Sequence, residues 1–265
     1  MTRDIKTICL LLLLPAAACK KVIDVNLNDA APQIVITGDV TNGAGPYLVT
    51  ISKSLSFSDP NNFPPVSGAQ VIITGSDGTR DSLAETAPGM YTTTNAWSGR
   101  PGISYTLSVV AEGKTYSALS TMPMPVSLDS VGFRTDDVLR GSPIIRAVPY
   151  FQDPADRDNY YQFVENINSW NYTGRVFVIN DRLSNGKYIS RALDSDTTLK
   201  PGYTLVLSMY CIDKSVYDYL STLNNVSDPG NFSSVTPANP ASNISNGALG
   251  YFSAHTIQSK QVIVY

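Results

Sequence analysis

Ile34-Val35-Ile36-Thr37-Gly38-Asp39-Val40-Thr41-Asn42-Gly43-Ala44-Gly45-Pro46-Tyr47-Leu48-Val49-Thr50-Ile51 decides the fold. Ile34 to Thr37 and Tyr47 to Ile51 are β-branched and aromatic runs that suit a pleated, half-buried surface. Between them Asn42 to Pro46 supplies residues that tolerate positive φ or fix a turn. The same rhythm continues outward. Val71 to Thr74, Tyr105 to Val110 and Tyr116 to Ser120 read as strands, and Ser76-Asp77-Gly78-Thr79 reads as a turn. No helical periodicity intervenes, so residues 33–122 are expected to form an antiparallel sandwich of immunoglobulin-like type. The paired cysteines of antibody domains are absent, which many sandwiches tolerate.

Thr121-Met122-Pro123-Met124-Pro125-Val126 places prolines at alternate positions, a stiff extended connector. A second β-rich domain is expected over 123–265, with strands at Ser127–Phe133, Ile144–Phe151, Tyr160–Ile167, Val176–Asn180, Tyr203–Cys211, Leu249–Ala254 and Ile257–Tyr265. One segment departs from this pattern. Asp213 is placed to cap a helix in which Val216, Leu220 and Leu223 fall at i, i+4 and i+7, ending at Asn224-Asn225. Residues 226–248 then run without periodicity, and loops of that length usually carry function or disorder.

The start of the chain speaks to location. Arg3 and Lys6 precede the apolar run Ile8–Leu14, and Ala16-Ala17-Ala18 leads into Cys19, the pattern of a secretory leader cut before a cysteine that takes lipid. A transmembrane helix needs roughly 20 apolar residues. Here the run stops at Pro15. Residues 1–18 are therefore read as a lipoprotein signal peptide, Cys19 as the lipid attachment site and 19–32 as a tether. Ala16 stands where lipoprotein leaders usually carry Leu, and cleavage ahead of another residue would leave a soluble secreted protein.

Cutting there removes Arg3, Lys6 and Asp4 and takes the formal charge from -3 to -4. No basic cluster remains, which excludes the Lys/Arg stripe that nucleic-acid binding requires. Cys211 is left without an intramolecular partner and, within an apolar run, reads as a buried inert thiol.

Particular segments also carry a family likeness. These are Cys19 to Asp24, Pro32 to Gly38, Tyr47 to Ser52, Pro65 to Val71, Pro88 to Tyr91, Phe151 to Pro154 and Asn159 to Tyr161. The tail adds Pro237-Ala-Asn-Pro240, Asn243-Ile-Ser-Asn-Gly247 and Leu249-Gly-Tyr-Phe-Ser-Ala254. Together they resemble the DUF4249 family across essentially the whole mature chain. The resemblance implies an outer-membrane lipoprotein of unassigned biochemistry, often encoded beside TonB-dependent receptors, and hence a nutrient-uptake or envelope setting. Lys20-Lys21 is a poor match to the acidic run that directs surface display in related envelopes, so either leaflet is compatible.

Candidate chemistry is sparse. His255 is the only histidine, it follows the strand Leu249–Ala254, and no Gly-x-Ser-x-Gly elbow presents a nucleophile. It reads as a strand-end or loop residue, and no catalytic residue, cofactor or histidine-based metal site is assigned. Asp153, Asp156 and Asp158 crowd one segment as calcium ligands do, though the spacing lacks the glycine and the bidentate Glu of an EF-hand; turn-forming is the simpler reading. Asp194 and Asp196 would serve a glycosidase only if the fold brought up a second carboxylate. Fifteen tyrosines accompany two tryptophans and eight phenylalanines. Trp97, Trp170 and Tyr172 fall in apparent loops and are the candidate binding-loop aromatics, unless their rings merely cover a junction.

The sequence thus leads to a non-catalytic outer-membrane lipoprotein, an accessory or ligand-binding partner of a TonB-dependent uptake system. A secreted carboxylate-dependent hydrolase and a structural or adhesive envelope component are the alternatives.

Overall fold

Alternation of side chains sets which face of each strand is buried. In the computed structural model, which describes residues 31–55, 62–136, 143–168, 170–171, 177–194, 199–227 and 239–265, β1 (Ile34–Thr41) alternates buried and half-buried along its whole length. It pairs antiparallel with β2 (Leu48–Lys53), which sets Ile36 opposite Ile51. β3 (Gln70–Gly75) leads into β4 (Arg80–Ala87), which changes layer partway. Leu83 lies opposite Val71 of β3, whereas Glu85 lies opposite Tyr91 of β5 (Met90–Thr92), with a break in register before Ala87. β6 (Ser104–Ala111) and β7 (Lys114–Thr121) complete the second layer. The two layers enclose Ile36, Val49, Ile73, Tyr91, Tyr105 and Leu107, each at 1% exposure or less. Burying side chains of this size stabilises by about 1.5–3 kcal/mol apiece. This is the immunoglobulin-like sandwich that the sequence leads one to expect.

The second core repeats the plan. β8 (Ser130–Asp136) and β9 (Ile144–Gln152) form one layer, β10 (Tyr160–Ile167) begins the other, and β11 (Trp170–Asn171) and β12 (Phe177–Asn180) both pair with β10. β13 (Tyr188–Ile189) adds to β9, and β14 (Thr204–Ile212) pairs with β10 along its full length. Between the layers lie Phe151, Tyr161, Phe163, Leu193, Leu205 and Leu207. The helix α1 (Lys214–Ser227) follows. It carries no acid in its first turn and no base in its last, so its stability comes from the Asp213 cap and from Val216 and Leu220, which are buried as their spacing predicts.

β15 (Leu249–Ile263) joins the two halves. From Leu249 to His255 it runs parallel to β1, with Val35 opposite Leu249 and Thr41 opposite His255. From Thr256 to Ile263 it runs antiparallel to β14. The strands expected separately at Leu249–Ala254 and Ile257–Tyr265 are therefore one element, and residues 32–265 form one compact unit. Ile244, Ala248, Phe252 and Ala254 return from beyond the Thr121–Val126 connector to fill the first core.

The stretch β2-β1-β15-β14-β10 consequently has two faces. One supplies both cores, through Ile36, Phe252 and Ala254 on one side and Leu205, Leu207 and Tyr161 on the other. The opposite face carries α1, packed on Ile212, Tyr160, Tyr210 and Tyr251. The long segment expected at 226–248 is partly helix, since α1 continues to Ser227, and residues 228–238 lie outside the described residues.

Candidate functional site

Beside α1, on that opposite face, lies an open cavity of about 310 Å³. The two-residue period of a strand puts Thr37 and Asp39 of β1 on one face, and their cross-strand partners Tyr251 and Ser253 join them there. Thr50 comes from β2, Tyr210 from β14 and Gln162, opposite Tyr210, from β10. Five strands drawn from both ends of the chain thus build one wall. Another cavity, of about 370 Å³, is lined by Val35, Phe63, Tyr219, Leu223 and Leu249 and, among the described residues, carries no charged side chain.

The wall is polar, and four of its polar side chains satisfy one another in two pairs. The Thr37 and Thr50 hydroxyls are 2.5 Å apart, and Ser253 Oγ is 2.9 Å from His255 Nδ1. The His255 imidazole stacks on Tyr210, with centroids 4.8 Å apart and planes 15° from parallel. Burial lowers the His255 pKa to about 4, so the ring is neutral at neutral pH. Burial likewise pushes the Asp39 carboxyl above its usual range, with no hydrogen bond or basic group among the described residues to oppose it. Its charge, after burial itself, helps raise the phenols of Tyr210 and Tyr251, the latter to about 12.

His255 is accordingly a mid-strand residue in a cavity wall, not the strand-end or loop residue expected. Ser253 and His255 form a hydroxyl–imidazole pair, yet they are only 2% and 6% exposed. A substrate would find almost no surface of that hydroxyl to reach.

The sequence candidates lie elsewhere. Trp97, between β5 and β6, sits edge-on to Tyr47 at 4.8 Å and stacks with Tyr105 at 5.8 Å, while its indole N–H donates to Asp81. That ring is committed to the rim of the first core. Trp170 belongs to β11, and Tyr172 lies outside the described residues, as does Cys19. Asp153 is buried and accepts hydrogen bonds from the Tyr161 hydroxyl and the Gly186 N–H, holding β9 to β10 and to the turn before β13. Asp156 and Asp158 are exposed and do not join it, and no group of three His, Cys, Asp or Glu side chains converges for a metal among the described residues. Asp194 pairs with Arg146 at 3.2 Å, and Asp196 lies outside the described residues. Cys211 is buried, which raises its thiol pKa, as suits an inert core residue.

The closing motif proves architectural. The Asn243 side chain both donates to the Phe252 carbonyl and accepts from the Phe252 N–H, so it mimics a neighbouring strand. Asn246 donates to the Thr115 carbonyl and Ser245 bonds Ser117, which stitches the tail to β7. Gly250 is required by close approach: its φ is +93°, and a Cβ there would lie 2.0 Å from the Ile36 carbonyl oxygen.

A comparison with curated proteins returns no match. Among solved structures the chain is similar to a two-domain fibronectin type III segment from chicken tenascin, at 11% identity and a TM-score of 0.24, covering 88% of this chain and 99% of that one. The profile of the family described as "Domain of unknown function (DUF4249)" matches residues 20–261. With nearly its whole length so matched, the segment conventions seen in the tail and in the first strands are those of a family, and this chain belongs to DUF4249.

Proposed function

We propose that this protein is a lipid-anchored component of the bacterial outer membrane that acts by binding, as an accessory or ligand-binding partner of a TonB-dependent uptake system. The observation that carries the binding part is the cavity of Asp39, Tyr210 and Tyr251, set on a five-strand scaffold backed by both hydrophobic cores. Ligand sites are typically such concave, preformed places with a few convergent polar groups. The envelope setting draws support from the leader read over residues 1–18 ahead of Cys19 and from what the family resemblance implies.

A carboxylate-dependent hydrolase has less to stand on. Asp153 is buried in structural hydrogen bonds and Asp194 is held by Arg146. Neither faces the cavity, and Asp39 is its sole acid among the described residues.

The test is a pull-down of the native protein from detergent-solubilised outer membrane, with intact-mass analysis of the same sample. A stoichiometric β-barrel partner and an acylated Cys19 are the expected results. An unmodified thiol at Cys19 or a retained leader overturns the anchor, and absence of any barrel overturns the transporter role.

A further inference from the structure

We propose that the cavity takes an organic cation, a protonated amine or quaternary ammonium group, seated between the Asp39 carboxylate and the rings of Tyr210 and Tyr251. This deepens the ligand-binding part of the reading above and is independent of any transporter.

Part of the wall is already satisfied. Thr37 and Thr50 bond each other, and Ser253 bonds His255. Asp39 is different. It is partly withdrawn from water, and among the described residues it has neither a hydrogen bond nor a cation and no lysine or arginine lines the cavity. A carboxylate facing an open cavity, partly withdrawn from water and without a basic partner, is complemented by positive charge.

The aromatic groups select the kind of positive charge. Asp39 and the phenols of Tyr210 and Tyr251 lie close enough for its charge to be felt by both rings. Tyrosine faces attract ammonium groups within about 6 Å of the ring centroid, and this attraction strengthens when water is excluded. His255, which supports Tyr210 from one side, is held neutral by burial and so does not compete as an internal cation. An anionic ligand would meet Asp39 without any basic group to receive it. A sugar would bring no positive charge to answer Asp39, and the Thr37, Thr50 and Ser253 hydroxyls are already engaged.

The single histidine supplies the readout. The full-length lipidated protein, held in a non-ionic detergent and labelled with histidine carrying ¹³C at Cε1, gives one imidazole C–H signal from the cavity wall. Choline is titrated against its uncharged carbon isostere, 3,3-dimethyl-1-butanol. The expected result is a saturable shift with choline and an affinity for the isostere at least tenfold weaker. Asp39→Asn should lower choline affinity at least tenfold and leave isostere binding unchanged. Equal affinity for the two probes, preference for the isostere, or no shift with choline overturns the inference. The two probes on the native protein decide the question even if Asp39→Asn fails to fold. A barrel recovered by pull-down without choline binding removes only the cation site; choline binding without a barrel removes only the transporter.

Discussion

Asp213 binds Ser120 across the two halves of the molecule: the Ser120 hydroxyl donates to Asp213 Oδ2 at 2.5 Å while Asp213 Oδ1 accepts the Val216 N–H at the start of α1. Ser120 Oγ in turn accepts the Ala254 N–H at 2.7 Å. One carboxylate thus ties together β7, the helix and β15. Asp213→Ala removes a helix cap and a charge-assisted hydrogen bond and leaves Ser120, at 1% exposure, short of a partner. Each contribution is about 1–2 kcal/mol, so a loss of about 3 kcal/mol in urea unfolding is expected. Ser120→Ala in the Asp213→Ala background should add much less than it does alone; full additivity would show that the link is not coupled.

The approach of β15 to β1 makes a second prediction. Gly250→Ala brings both a positive φ, costing about 1 kcal/mol, and a collision with the Ile36 carbonyl. Gly113 shares the conformation, with φ of +74° and nothing within 4 Å of its virtual Cβ. Gly113→Ala should therefore lower stability by about 1 kcal/mol and Gly250→Ala by several times that, measured as denaturant midpoints. Equal effects would mean that β15 does not pass Ile36 so closely.

His255 predicts a pH dependence whose sign follows from burial. Its folded pKa of about 4 lies below the ordinary 6.5, so between those values the unfolded chain binds the extra proton. Stability from this residue is constant above pH 6.5 and falls as the pH drops towards 4, by about 3 kcal/mol in all. Asp39, whose carboxyl is pushed upward, works in the opposite sense at the acid end. The comparison of wild type with His255→Gln isolates the histidine: urea midpoints of the variant should change less over this window. A ¹³C-histidine titration with an ordinary midpoint would refute the buried assignment.

Trp97 is predicted to matter for folding and not for binding. Trp97→Ala opens the rim between Tyr47 and Tyr105 and frees one acceptor of Asp81, at a cost of about 2 kcal/mol for a partly exposed ring. Capture of an outer-membrane partner and the choline response should be unchanged in the folded variant. Loss of either at full stability would return Trp97 to the surface role that its loop position suggests.

How far the sequence could carry the structure follows the range of the interactions involved. Local patterns were legible: the alternation of Ile34–Thr41 and Tyr160–Ile167, and the Asp213 cap with Val216 and Leu220 beneath it. β4 was not, because Arg80–Ala87 buries little beyond Asp81 and Leu83 and reads as polar loop. The cavity was invisible for a different reason. Asp39, Gln162, Tyr210 and His255 meet only because β1 pairs in parallel with β15, and no spacing within the chain announces a contact between Val35 and Leu249. His255 had a further disguise, since Ser253 and Thr256 make its strand look like a terminus when both are buried.

The joining strand also orders events in time. A chain made from its amino end exposes the free edge of β1 until Leu249–Ile263 has been synthesised, because that edge has no other neighbour among the described residues. The earlier sandwich is thus finished only after the strands of the second core have appeared, and its unpaired flank is an invitation to intermolecular strand addition throughout that interval. Truncation just before Leu249 would leave both halves with a raw edge, so a shortened product should self-associate and not persist as a smaller folded unit.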